Sequence, residues 1–514
     1  MTRVPDFLKS LILKLAVLRH PARARLSWSA PSLDRLALDA ARIPEEKGSV
    51  CVPIRCTPDE NSFTVSQAET RAYDECRSST AKRGKLGEVS MRCTKLVWAH
   101  FVLFILGCVT GAWAAGTEQV LHAFTGPDGF EPWGLVFDKA GNLYGPTNSG
   151  GTGIGCLPNT CGTVFELSPN SDGTWTETVL YDFAGGIDGA YPNSSLIFDP
   201  KGNLYGVTAQ GGDLSCNKGA GCGTVFQLTP SSGGSWTKTI LYSFAGGDDG
   251  AGPFGTLTFD TAGNLYDGTG GGGTHGFGTV FKLTPKSGGG WQESVLHSFA
   301  GGNDGFEPAG GVVFDKAGNL YGVTVAGGSG ACGGGGCGTV YMLRLEKNGW
   351  KETVLHRFAG QKDGMEPIAA PILDKGNLLG TVYQGGRFGS GTVYELTPKA
   401  KGGWQWNVVY AFKGGSDGNG PYTGGLSTDA LGNFYGTTLY GGSANRGTVF
   451  RLKHLKGSKW KDAVLYSFSG GNDGSGPESN AIERAGHVYG TTALGGGGDC
   501  PSGNGCGVVF EITP

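Results

Sequence analysis

Seven of the Asp-Gly pairs along this chain keep step with one another, at Asp128, Asp188, Asp249, Asp304, Asp363, Asp417 and Asp473. Carboxylates gathered from repeated loops are oxygen donors, and a ring of them would hold a hard cation such as Ca2+. The same dipeptide forms turns, because Asp bonds its own backbone and Gly accepts a positive φ. Sevenfold repetition favours the turn, since a binding site needs one constellation. No cofactor is therefore expected, with Ca2+ as the alternative. Catalysis would need residues at which the copies disagree, and these are His275, Arg387, Arg446, Asp267 and His487. No Ser-His-Asp set, HExxH motif or phosphate-binding glycine pattern can be assembled.

Cysteine is the second reactive type. Cys156/Cys161, Cys216/Cys222, Cys332/Cys337 and Cys500/Cys506 form four close pairs, each between a Gly-Gly and a Gly-Thr-Val or its near copy. Loops carrying a pair have nine or ten residues there, whereas the three loops without Cys have four. A long loop costs closure entropy that a crosslink reduces, so the pairs are expected to be disulfides. Zinc is the rival reading, but the spacing is not C-x2-C and each copy offers two ligands.

The elements that must carry these loops are repeated too. "GNLYG" or a variant begins at Gly141, Gly202, Gly263, Gly318, Gly376, Gly432 and Gly486, with spacings of 54 to 61 residues. "GTVF"-like and "VLYSF"-like runs keep step with it, starting at Gly162 and Val120. In the second copy, "LIFD", "NLYGVT", "GTVFQLTP" and "WTKTILYSF" are four short runs of β-branched and aromatic residues bounded by turn formers. Four-stranded units repeated seven times predict an all-β, seven-bladed β-propeller. The last copy ends on its third strand, "GVVFEITP", while a surplus fourth strand, "QVLHAF", stands at Gln119–Phe124. The N-terminal strand is thus expected to complete the last blade and close the ring. In that fold the seven Asp-Gly loops and the Cys-bearing loops share one face. Phe130, Tyr191, Phe306, Glu131, Glu307 and Glu366 give this face an aromatic and acidic character.

The combined pattern of GNLYGTT, GG, GTVF, W, VLYSF and GG-x-DG-x-x-P resembles the GloVer-type tandem-repeat proteins over roughly Glu118 to Pro514. The resemblance implies a secreted bacterial repeat protein whose relatives carry different anchors; it implies no activity. Asp267 for Gly, Leu379 for Tyr and His487 for Asn depart from the pattern.

Residues 1–95 hold 17 Lys and Arg, 11 Asp and Glu and three Gly, in a chain of 514 residues with 96 Gly. The remainder is mildly acidic and lacks the clustered basic charge that nucleic acid requires. Arg92 and Lys95, an apolar run from Leu96 to Val109 and "AWA" at Ala112–Ala114 read as a signal peptide over 91–115. Met91 stands where such a segment would begin, so 1–90 is expected to be a non-native or disordered leader, and the domain to span 118–514. A genuine cytoplasmic tail before an anchor is the alternative. "ILGC" at Ile105–Cys108 also resembles a lipoprotein box, which would give a lipid-anchored surface form through Cys108.

The expected protein is a monomeric, secreted, periplasmic or extracellular binding module for glycan or protein, with no membrane span in its mature body. Its ligand-face candidates are the seven Asp with His275, Arg387 and Arg446. The alternative is a propeller enzyme acting on polysaccharide or lactone, such as a lyase, a glycosidase or a metal-dependent lactonase.

Overall fold

Each pentapeptide opens the second strand of an antiparallel sheet, and each of its residues has a task. In the second copy Asp199 accepts bonds from Asn203 N at 2.9 Å, Asn203 Nδ2 at 2.7 Å and Tyr205 Oη at 3.1 Å. That carboxylate fixes the hairpin, while Leu204 is buried. The second glycine leaves room for an aromatic ring: a Cβ on Gly206 would stand 2.7 Å from Phe226 Cζ.

The computed structural model describes residues 116–514 except 157–159, 329–331, 334, 456–458, 499 and 502. The expected leader (1–90), the signal segment (91–115) and Cys108 lie outside the described residues. Seven sheets form a β-propeller. Blade 2 is typical, running outward from Ala190–Pro192 and Ile197–Phe198 through Leu204–Gln210 and Thr224–Pro230 to Trp236–Ser243. In the seventh sheet Thr117–Ala123 is the outer strand on Val508–Thr513, with Val120 opposite Phe510. Among the described residues no helix is long and apolar enough to cross a membrane.

The structure corrects one detail of the strand reading. The segment after Asp-Gly is not all loop, because Ala190 pairs with Gln210 and Pro192 with Thr208. The inner strand of blade 2 therefore comes in two pieces, with the residues between them lining the channel, whereas that of blade 4 runs unbroken over Phe306–Phe314.

A β-bulge at the same point in every outer strand explains the "VLYSF" run. In blade 2 the register skips between Tyr242 and Ile240, and Leu241 is turned into the core. The following Phe244 is buried and meets Phe281 of blade 3 edge to face, centroids 5.0 Å apart. The same contact joins every neighbouring pair of blades, including Phe468–Phe510 and Phe124–Phe165 at the seam. Each pair adds about 1 kcal/mol beyond burial. Seven of them reach the scale of a domain's net stability, about 5–15 kcal/mol.

At its outer edge every joint holds an Asp of the Asp-Gly ladder, a Tyr or His seven residues earlier (six for Asp128) and one residue of the next blade. Tyr242 Oη donates to Asp249 at 3.0 Å, for example, and the residue beside them is Glu293 of blade 3. That third residue is Glu118, Glu177, Glu293, Glu352 or Asp462 in five joints, and each keeps a buried oxygen without a hydrogen-bond partner. Burial, followed by the adjacent Asp, pushes the carboxyls of Glu118, Glu293, Glu352 and Asp462 up to about 7.

The eight cysteines of the domain form the four expected disulfides. Such bonds fit an oxidising extracellular or periplasmic setting. Short or long, each loop is pinched at its base by one bond between glycines, as in Gly223 N to Gly211 O at 3.0 Å and Gly278 N to Gly272 O at 2.9 Å. The disulfides pack over the following Asp-Gly loop, where a Cβ on Gly185 would lie 2.8 Å from both sulfurs of Cys156 and Cys161.

Two outcomes are expected. Replacing Cys216 and Cys222 together by Ala should cost about 2 kcal/mol, the closure entropy of so short a loop, read as a lower urea midpoint at unchanged slope. For the raised carboxyls, the folded state binds the proton more tightly than the unfolded chain. The stability they lend is complete below the unfolded value of 4.5 for Glu and is lost as pH rises through about 7. The melting temperature should fall across that window, and Glu293→Gln should flatten the slope.

Candidate functional site

The residue before the repeated proline stands where the inner strand leaves the Asp-Gly face. Its N–H reaches back to the preceding blade: Glu131 to Cys506 O (3.2 Å), Tyr191 to Cys161 O (3.0 Å) and Glu366 to Cys337 O (3.0 Å). This geometry needs a left-handed backbone. Gly252, Gly420 and Gly476 supply it freely, whereas Glu131, Tyr191, Glu307 and Glu366 adopt it at φ of 55, 58, 57 and 60°. A non-glycine residue held there costs of order 1–3 kcal/mol, and such strain gathers at functional sites. Four strained side chains, three of them acidic, thus surround the mouth of the channel.

The position after the proline is the one at which all seven copies differ: Trp133, Asn193, Phe254, Ala309, Ile368, Tyr422 and Glu478. These residues begin the channel wall. Trp133 and Phe254 meet edge to face, centroids 6.0 Å apart, although they belong to blades 1 and 3. Below them lies a cavity of about 240 Å³ lined also by Asn193, Ser194, Thr423 and Asn480. Asn193 Oδ1 and Ser194 Oγ are buried there without partners. A cavity that holds unpaired polar atoms is made for a polar occupant.

One side of the mouth carries a cluster from blades 5, 6, 7 and 1. Tyr383 and Tyr422 meet with ring centroids 5.0 Å apart. Burial raises the Tyr383 hydroxyl, and Tyr440, Tyr422 and Glu366 add to it. Burial likewise raises Tyr422, with Glu478, Glu366 and Tyr440 contributing. Glu478 is pushed up to about 7 by burial and then by the Glu131 carboxylate. Tyr440 remains 44% exposed, so the patch is open to solvent.

The residues expected from sequence are distributed differently. Every Asp of the ladder is bonded to its own blade: Asp128 accepts from Thr125 N (2.8 Å), Asp188 from Ala184 N (2.8 Å) and Asp249 from Ala245 N (2.8 Å). Asp304, Asp363, Asp417 and Asp473 accept from Ala300 N, Ala359 N, Lys413 N and Ser469 N at 2.6 to 2.9 Å. His122, His297 and His356 or a Tyr takes the place beside them. The structure spreads these seven around the ring, one to a joint. His275, Arg387 and Arg446 are exposed in their short loops. Arg446 lies over the start of its own Asp-Gly loop, where a Cβ on Gly470 would be 2.9 Å from its side chain. His487 faces the opposite end, 2.7 Å from Glu511 Oε1. Asp267 is fully buried on the second strand of blade 3, against Gly255, and its burial holds the carboxyl at about 8.

Sequence reasoning found Glu131, Glu366 and Tyr191 but missed Trp133, Tyr383, Tyr422, Tyr440 and Glu478. The seven-way variation after the proline was the available signal for Trp133, Tyr422 and Glu478.

Several solved structures are similar to this chain. Virginiamycin B lyase from Staphylococcus aureus is 11% identical with a TM-score of 0.43, covering 78% of this chain and 99% of its own. A glucose dehydrogenase-type oxidoreductase from Thermus thermophilus is 13% identical with a TM-score of 0.37, covering 77% and 99%. A luciferin-regenerating enzyme is 11% identical with a TM-score of 0.37, covering 78% and 95%. No curated protein matches. The sequence profile of the Gloeobacter/Verrucomicrobia repeat matches residues 107–335 and 331–514, so that this chain belongs to that repeat family.

Proposed function

We propose that the protein is an exported binding propeller that takes a glycan at the mouth of its channel, on the Asp-Gly face. The observation that carries this reading is the cluster of Tyr383, Tyr422 and Tyr440 between Glu366 and Glu478. Tyrosine faces accept the C–H side of a sugar ring, and adjacent carboxylates accept its hydroxyls. Such a site mixes apolar surface with a few placed polar groups, as ligand sites generally do. Strained Glu131 and Glu366 hold their positions because the ring of joints over-determines them. The four disulfides and the apolar segment over 91–115 support export.

A second reading rests on Glu478. A carboxyl that keeps its proton near neutral pH beside a second carboxylate is the arrangement with which glycosidases donate and accept protons. In that reading Glu478 is the acid and Glu131 the base, and the same glycan is cut.

Calorimetric titration of the purified chain with a panel of oligosaccharides distinguishes the two. Binding without product is expected, with Tyr422→Ala weakening it about tenfold, the cost of losing an aromatic anchor. Asp249→Asn should leave affinity unchanged. Release of reducing ends that Glu478→Gln abolishes would make the protein a hydrolase. Equal affinity in the Tyr422→Ala variant would remove the cluster from the site.

A further inference from the structure

Among the described residues one group of three metal-ligating side chains converges: His122, Asp128 and Glu177, with one donor atom of each within 4.8 Å of the others. It lies at the outer edge of the joint between blades 7 and 1. His122 Nε2 stands 2.9 Å from Asp128 Oδ2, and the two side chains are 21% and 18% exposed. Phe124 meets the imidazole edge to face at 4.7 Å and fixes its plane. Glu177 reaches in from blade 1 with a buried Oε1 that has no partner. Burial raises its carboxyl, with Asp128 adding to the rise and His122 opposing it.

The neighbouring joint shows what this place accepts. Between blades 1 and 2 the residue equivalent to Glu177 is Lys238, two positions after the strand's leading Trp in both. Its ammonium, 3% exposed, lies 2.9 Å from Asp188 Oδ1 and 4.7 Å from the ring of Phe183, the counterpart of Phe124. A cation thus sits beside the ladder Asp in that joint. Between blades 4 and 5 the place is filled by Trp406, stacked on His356 at 3.9 Å. The joint between blades 7 and 1 has neither ammonium nor indole, but two carboxylates and an imidazole nitrogen. His297, Asp304 and Glu352 repeat the set between blades 3 and 4 with a looser His–Asp contact of 3.3 Å, and among the described residues the first set alone converges within 4.8 Å.

We propose that this joint binds one divalent first-row transition ion of the zinc type through His122 Nε2, Asp128 and Glu177. Two carboxylates neutralise the ion, and neutral imidazole is a preferred donor for it. Ca2+, which needs six to eight oxygens, suits the set poorly. The joints that pair Tyr242, Tyr410 or Tyr466 with two carboxylates lack such a donor, because their phenols hold the proton tightly. His122 and Asp128 belong to the strand and turn that begin the domain, and Glu177 to the blade beside them. The ion ties the N-terminal strand of blade 7 and its turn to the outer strand of blade 1.

The test is titration of the EDTA-stripped full chain with Zn2+ by calorimetry and with Co2+ by visible absorption. The readout is the difference between wild type and variant, because Cys51, Cys56, Cys76, Cys93 and Cys108 add thiol donors common to both. His122→Gln should remove one ion per chain, lowering that affinity at least about 100-fold, more than losing an outer partner costs. Zn2+ should raise the melting temperature of the wild type but not of His122→Gln. Glu177→Lys copies the joint between blades 1 and 2, and should abolish binding while melting in EDTA no lower than the wild type. Should Glu177→Lys not fold, Glu177→Gln reports the same loss. Equal uptake and equal Zn2+-dependent melting in wild type and His122→Gln would overturn the proposal.

Discussion

Everything in this fold hangs on the joint between neighbouring blades. The N–H that precedes each proline reaches back to the carbonyl of the preceding blade, and the proline ring rests on a bare glycine. A Cβ on Gly223 would lie 2.5 Å from Pro253 Cδ, and one on Gly447 would lie 2.3 Å from Pro477 Cδ. Below that contact two aromatic rings meet edge to face, and beyond it the Asp-Gly carboxylate ties its loop to the outer strand. A blade alone leaves both faces of its sheet bare, so the burial that stabilises it exists only between neighbours. In four of the seven joints the accepting carbonyl belongs to a disulfide-bonded cysteine, which links loop closure to blade spacing.

What the sequence disclosed divides along the same line. Repeated features were legible, because repetition separates them from chance: the blade count, the strand sequence and the turn chemistry of the Asp-Gly pairs, each made seven times, and the cysteine staples, made four times. The split of the inner strand was not legible. "AYP" and its equivalents hold a proline and a left-handed residue, and only pairing across the sheet makes them strand. The site was half legible. Glu131 and Glu366 stand out in the motif, but Tyr383, Tyr422 and Tyr440 come from separate places in two copies and meet only in three dimensions. Repetition hides such residues, since each looks like a local departure from the pattern.

The strained ring and the buried Asp267 show how a symmetric scaffold carries asymmetric groups. Three copies use glycine before the proline and four do not, and the pinned N–H leaves the side chain no relaxed alternative. Asp267 replaces a glycine that elsewhere makes room for a ring, and it keeps one carboxyl oxygen unpartnered. Both cost free energy, which the burial between blades must offset.

The glycine pinch at the base of each loop between the second and third strands has a consequence for how such proteins diversify. Chain that leaves through one glycine and returns through the other contributes nothing to the register of the strands, whether it is four residues long or ten. Length at these positions is therefore uncoupled from strand register, while the cysteine pairs of the longer loops still add stability. Lineages can vary these loops as antibodies vary their hypervariable loops, and an engineer can graft peptides there without redrawing the propeller beneath.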